Sequence, residues 1–285
     1  GQTLEAISEQ DFRGHYEIII VDSESTDRTR NIAARYGVSL IVMPQKDFSY
    51  GRSLNLGADK ARGQFIVNLS AHVLPANRFW LSRLISGFHN SQVAAVYGRQ
   101  ISDRNKNPVE ALQNELFFGS DDLTFRKSNI RKVRDIHFSN SNCAIRRDIW
   151  SRLRFDENVP YAEDTLWQRR VIESGYSIVY KADATAYHTH RLNPIRSYRN
   201  SRNCARALAS MNDETRSFAK ILRDICVFTG LIPLSIARHV GYVWFGRCRK
   251  HLAIVPFSVF LILSGWLMGR IKYRVIKNQD QEEQC

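Results

Sequence analysis

The chain has 285 residues, enough for one large domain or a domain with an appendage. With 44% apolar and 11% aromatic residues it is not a disordered polymer, and five cysteines without a CxxC pair or zinc-finger spacing exclude a disulfide framework and a structural zinc. Lys and Arg outnumber Asp and Glu by 41 to 28, a formal charge of +13, which calls for a polyanionic partner: nucleic acid, an anionic membrane face or a diphosphate.

No charged-then-apolar leader opens the chain, and Gly1–Ile7 already has the pattern of a helix. From Tyr16 onward strand and helix signals alternate. Glu17–Val21 reads as a strand, Ser23–Asp27 as a turn with helix-start residues, and the helical stretch behind it stops at Gly37. Strand Val38–Met43, helix Arg52–Ala61, strand Gln64–Leu69, helix Pro75–His89 and strand Val93–Tyr97 follow. The polar stretch Ile101–Asn140 reads as a helix plus a mobile loop. Beyond it, Cys143–Leu153 and Asp164–Ser174 read as helices, Tyr176–Lys181 as a strand and Thr185–His188 as a short strand. This alternation predicts an α/β fold: a mostly parallel sheet with flanking helices.

After Leu192 the composition changes to a basic, apolar helical region. Within it Leu252–Gly269 carries no charge over roughly 18 residues, the lower limit for crossing a bilayer, and is flanked by Arg249, Lys250, Arg270, Lys272 and Arg274. Pro256, Ser258, Ser264 and Gly265 weaken a spanning helix, so a helix lying in the plane of an anionic leaflet and a buried core helix stand beside it. The basic residues interleave with apolar helical stretches rather than with a recognition module, which argues against nucleic acid.

Five constellations could carry chemistry. Asp22 ends an apolar strand, where ligands of open α/β sheets bind, while Ser25, Thr26 and Asp27 fit helix capping. Arg52 sits at a helix start that could face a phosphate; a surface arginine and a helix-packing Asn55 are the plainer alternative. His72 follows a strand end and could ligate a divalent metal or be a hydrogen-bonded structural residue. Glu163 and Asp164 adjoin at a helix start, as dipole-compensating acids or as a fixed general base. His188 and His190 alternate in an extended segment, so both point to one side.

In this order the pieces VDSESTD (Val21–Asp27), FSYGRSLNLGA (Phe48–Ala58), LSAHVLP (Leu69–Pro75), SNCAIRR (Ser141–Arg147), AED (Ala162–Asp164) and HTH (His188–His190) resemble a family 2 glycosyltransferase of GT-A fold over residues 1–191, with 192–285 as a helical membrane-associating region. The resemblance implies inverting transfer from a nucleotide-sugar donor to a glycan or lipid-linked acceptor in cell-envelope or exopolysaccharide assembly, at the cytoplasmic face of a membrane. It assigns Asp164, with Glu163 beside it, as the base. Asp22, Arg52, Asn55 and Trp167 fall to the nucleotide-sugar site, Trp167 on its acceptor side, and His72, His188 and His190 to a metal or diphosphate site. The family's Asp-x-Asp is here Ser70-Ala71-His72, which lowers the expected affinity for the hard ions Mg²⁺ and Mn²⁺ and leaves metal dependence open. Family members start with an apolar strand that Gly1–Ile7 does not supply, so the chain reads as amino-terminally truncated. A non-catalytic protein that keeps the fold and binds a nucleotide-sugar or a partner is the alternative function.

Overall fold

The computed structural model describes residues 1–129, 136–211, 218–246 and 249–282. The chain forms two compact units, one of Gly1–Ile101 and Glu115–His188, the other of Ser102–Asn114 and Thr189–Cys285.

The first unit opens with α1 (Gln2–Ser8), β1 (Ile19–Asp22), α2 (Thr29–Arg35), β2 (Ser39–Val42), α3 (Tyr50–Lys60), β3 (Phe65–Leu69), β4 (Val73–Pro75), α4 (Trp80–Ser86) and β5 (Val93–Ile101). Helix α5 (Pro108–Phe117) starts in the second unit and ends in the first; β6 (Leu123–Phe125), β7 (Asn142–Arg146), α6 (Arg147–Arg152), α7 (Glu163–Glu173) and β8 (Ser177–His188) complete it. Gly37 and Gly175, at φ of +62° and +86°, take the left-handed conformation that ends α2 and α7.

The α/β class with flanking helices is the expected one. Strands β1 and β2 pair in parallel, and the main sheet runs β3-β7-β5-β8-β4 with β6 on β8. Its directions are mixed: β5 and β8 are parallel, and the other pairings are antiparallel. Parallel neighbours need a crossover, commonly a helix, and β7 is entered from the irregular chain before Asn142.

Two expected helices are corrected. Asn142–Arg146, the opening of the expected helix Cys143–Leu153, is a strand between β3 and β5 with Asn142–Ile145 fully buried. An apolar run covered on both faces has no period that separates strand from helix. The expected helix Pro75–His89 shrinks to α4, because Val73–Pro75 pairs with β8 and the Asn77 side chain accepts from the Phe79 amide in a turn before the helix. Thr185–His188 joins Ser177–Tyr180 in one long strand. In the segment 101–140, α5 and β6 are present, and residues 130–135 lie outside the described residues.

The sheet's alternation divides the core. Tyr97, Ile145, Ile178 and Tyr180 pack with Trp150 and Trp167 on one face, and Val96, Ala144 and Val179 pack with Trp80 and Leu84 on the other. The Trp80 indole donates to Asn142 Oδ1 at 2.9 Å, and Asn142 Nδ2 donates to the carbonyls of Arg99 and Ala184, so the polar groups inside this layer are paired.

The second unit contains α8 (Pro194–Met211), α9 (Phe218–Phe245) and α10 (Ile254–Glu282) around Val109, Val243, Val255 and Val259. A Cβ on Gly265 of α10 would stand 2.3 Å from the Tyr198 carbonyl of α8, so glycine lets these helices approach. Among the described residues no helix is long and apolar enough to cross a membrane, and the spanning alternative for 252–269 is not met.

Candidate active site

Ala162, a non-glycine residue at φ +62°, turns the chain into α7 so that Glu163 and Asp164 form its first positions. A left-handed alanine costs roughly 1–2 kcal/mol, strain of a kind that clusters at functional sites. Glu163 is buried, and its Oε1 accepts from Asn140 Nδ2 at 3.2 Å. Asp164 is half-buried, and its Oδ1 accepts from the Thr165 amide at 2.7 Å. Burial, then the charge of Glu163, pushes the Asp164 carboxyl up to about 7, and burial also raises Glu163. Two carboxylates side by side in a low-dielectric setting do not both ionise freely, so Asp164 exchanges its proton near neutrality.

A pair of histidines forms at the end of β8 and in the turn before β4. His72 Nε2 lies 2.9 Å from His188 Nε2, and His188 Nδ1 lies 2.6 Å from Gln100 Oε1. Gln100 thereby holds the His188 ring by one nitrogen and leaves the other for His72 or a ligand. The His72 turn is pinned by Thr3 of α1, whose hydroxyl lies 3.2 Å from each of the carbonyls of Ala71 and Val73. His190 belongs to the second unit, where its Nδ1 and main-chain amide both meet the Glu110 carboxylate at 2.8 Å. That hydrogen bond raises its pKa.

Asp22 is buried at the end of β1, accepts from the Ser25 amide and pairs with Arg30 Nε at 2.8 Å. Burial works against its charge, but the hydrogen bonds from Ser25 and Arg30 hold its carboxyl below the ordinary range, so it is an anion with one cation already on it. Arg52 is exposed near the start of α3, its amide capped by Ser49 Oγ.

Asn55 and Trp167 are corrected as ligand contacts. Asn55 Nδ2 donates to the Phe155 carbonyl and Glu157 Oε1, and its Oδ1 accepts from Trp150 Nε1 and the Phe155 amide. Those four bonds use the whole capacity of an amide side chain, so Asn55 clamps the 153–157 segment onto α3. Gly51 serves the same junction, since a Cβ there would meet the Asp156 carbonyl at 2.2 Å. Trp167 is fully buried, stacks on Phe138 and donates to the Leu153 carbonyl, and is core beneath the acids.

The sheet gathers the remaining groups at one end. Leu69 of β3 pairs with Asn142, the Ser70 and Ser141 hydroxyls are 3.2 Å apart, and β5 and β8 finish on that side with Gln100 and His188. The His72 turn and the Asn140–Ser141 turn that holds Glu163 are therefore neighbours.

The family model described as Glycosyl transferase family 2 matches residues 1–154. The chain belongs to this family. This family 2 chain is 33% identical over 186 residues, 64% of its length and 59% of the relative's, to an O-antigen chain rhamnosyltransferase of Salmonella anatum. To an O-antigen chain rhamnosyltransferase of Salmonella typhimurium it is 29% identical over 196 residues, 67% and 62% of the two lengths. It thus spans about three fifths of these relatives. Among solved structures it resembles a Pyrobaculum calidifontis mannosyltransferase in complex with GDP-Man and Mn²⁺, with a TM-score of 0.60 and 19% identity over 96% of this chain and 82% of the other. That likeness shows the fold.

Sequence reasoning missed three side chains of this family 2 site: Asn68, Gln100 and Asn140. A buried asparagine in the apolar strand β3 was the available signal for Asn68. Gln100 lay beyond the expected end of β5, and Asn140 lay in the segment without periodicity.

Proposed function

We propose that the chain transfers a sugar from a nucleotide-sugar to an acceptor hydroxyl with inversion, in cell-envelope glycan assembly. The observation that carries this is the adjoining pair of buried Glu163 and half-buried Asp164 at the sheet end where His72 and His188 converge. In a single displacement Asp164 takes the proton of the acceptor hydroxyl as its oxygen bonds the anomeric carbon. The bond from that carbon to the diphosphate breaks, and its electron pair leaves with the nucleoside diphosphate. Asp22 and Arg52 serve the donor end. The rhamnosyltransferase relatives support a deoxyhexosyl or hexosyl donor and an O-antigen-like acceptor.

The imidazole donors His72 and His188 suit a borderline divalent ion such as Mn²⁺ better than Mg²⁺. Gln100 already orients the His188 ring in the manner of a metal ligand. When bound, such an ion would neutralise charge on the departing diphosphate. Without one, His72 and His188 donate to it directly.

The second unit supports a membrane-face location with the helices lying on the surface. Phe257, Phe260 and Met268 of α10 and Leu234, Trp244 and Phe245 of α9 are exposed, in a region with many basic residues. This would bring the site to a lipid-linked acceptor.

Calorimetry with a panel of nucleoside-diphosphate sugars, with and without Mn²⁺, followed by NMR of the product's anomeric configuration, tests the proposal. One donor that binds and is transferred with inversion is expected. Binding without transfer under all conditions would instead mark a nucleotide-sugar-binding protein, and retention of configuration would overturn the single displacement.

A further inference from the structure

Beneath the acid pair lies a buried polar chain that the proposed chemistry does not itself use. Asn140 Nδ2 donates to Glu163 Oε1 at 3.2 Å. On its other side Asn140 Oδ1 accepts from Asn68 Nδ2 at 3.4 Å and from the Cys143 thiol at 3.7 Å. All four residues are buried. Three strands and turns contribute: Asn68 comes from β3, Cys143 from β7, and Asn140 from the turn that enters β7.

The direction of the chain is fixed by chemistry. A thiol is a donor here, because burial pushes the Cys143 pKa far up, and the nearby charges of Asp164 and Glu163 act in the same sense. Cys143 therefore requires the oxygen of Asn140 on its side, where Asn68 Nδ2 also donates to it, and this leaves the Asn140 NH₂ facing Glu163. An NH₂ group can only donate, and it bonds more strongly to a carboxylate than to a carboxylic acid. Among the described residues Asp164 receives no side-chain amide in this way; its Oδ1 accepts from the amide and hydroxyl of Thr165, and the main chain of Asn140, which a side-chain substitution leaves in place, also bonds the carboxylate. Among the described residues the charge that raises Asp164 is that of Glu163, and the charges of both acids act in turn on the Cys143 thiol.

We propose that Asn140, oriented by Asn68 and Cys143, is a positioning residue that keeps Glu163 the anion of the pair and so leaves Asp164 as the group that takes and releases the proton. It rests on Asp164 being the base and adds a division of labour that neighbouring acids alone do not have. Glu163 supplies a fixed negative charge, which raises the proton affinity of Asp164, and Asn140 prevents the proton from settling on Glu163 instead. Without Asn140 the two acids would share one proton, and Asp164 would be a weaker base over a wider pH range.

The test is carboxyl titration by NMR on the full chain labelled with ¹³C at Asp and Glu side-chain carboxyls, with signals assigned from Asp164→Asn and Glu163→Gln. A hydrogen bond to a charged group is worth about one pH unit in a midpoint. Asn140→Ala should therefore lower the Asp164 midpoint by about one unit and raise that of Glu163. Glu163→Gln should lower the Asp164 midpoint by at least as much, and adding Asn140→Ala to it should produce no further shift. Asn68→Ala should move both midpoints in the same directions by less, and it carries the test with Glu163→Gln if Asn140→Ala does not fold. An Asp164 midpoint unmoved by Asn140→Ala or Asn68→Ala, or shifted equally by Asn140→Ala when Glu163 is already glutamine, overturns the proposal. The titrations need no turnover, so they stand apart from the base assignment, which fails separately if Asp164→Asn retains transfer.

Discussion

Replacing Asp164 with asparagine should make the folded protein more stable above neutrality while removing its turnover. The carboxyl is pushed from an ordinary 3.8 to about 7 by burial and by Glu163. Each pH unit corresponds to about 1.4 kcal/mol, so holding Asp164 ionised in the fold costs up to about 4 kcal/mol; its partial exposure reduces this to roughly 2–3 kcal/mol. The sign follows from the raised proton affinity. Between pH 4 and 7 the folded protein keeps a proton that the unfolded chain has released, so stability falls as pH rises through that window and levels off above it. Asparagine has no proton to lose, and its nitrogen and oxygen occupy nearly the same volume. Urea unfolding of the wild type and Asp164→Asn from pH 5 to 8.5 checks this: the difference between them should grow by roughly 1–2 kcal/mol in favour of the variant across that range, the rest of the change falling below pH 5. In the same preparations kcat should fall about 10²- to 10⁴-fold, the usual contribution of a general base. A pH-independent stability difference, or a wild type that gains stability towards pH 8 relative to the variant, would refute the buried-pair argument.

Other predictions follow from the same geometry. The wild-type kcat/KM should rise with pH through an apparent value near 7 and then level, since only ionised Asp164 accepts the proton; a profile flat from pH 5.5 to 8.5 would contradict it. Asn55→Leu should destabilise the fold by about 3–5 kcal/mol, because it breaks three buried hydrogen bonds and a part-buried one, and Trp167→Ala by a similar amount through the cavity beneath α7, both read by urea midpoints. His72→Ala should abolish any Mn²⁺-dependent rise in thermal midpoint and weaken donor binding; a Mn²⁺ response equal to the wild type would remove His72 from the site. Phe245→Ser with Phe257→Ser should reduce flotation with anionic phosphatidylglycerol vesicles several-fold, and the remaining binding should fall with salt.

The parts legible in the sequence were those governed by local chemistry. Gly37 ended a helix, the 50–60 helix and the 65–69 strand followed their periods, and two adjacent acids marked the start of α7. What was not legible depended on partners distant in the chain. The apolar stretch Cys143–Ile145 could be strand or helix until β3 and β5 covered it on both edges. Asn55 and Trp167 lie within quoted motifs or beside them, yet their hydrogen bonds and stacking turn inward to the 153–157 segment. Conversely Asn68, Gln100 and Asn140 belong to no acid or histidine motif; the fold brings Gln100 to His188 and Asn140 to Glu163, and Asn68 matters only through Asn140. The mixed strand directions, too, come from long-range pairing rather than from the alternating pattern along the chain.

The central claim is that this family 2 chain moves a sugar and that Asp164 is the base. It is tested most directly by incubating wild-type protein and Asp164→Asn with the nucleotide-sugar found to bind and with acceptor-bearing envelope membranes, measuring sugar incorporated and, in parallel, donor affinity. The account predicts transfer by the wild type and its loss by at least a hundredfold in Asp164→Asn, with donor affinity within a few-fold of the wild type. Equal incorporation by the two proteins would contradict it.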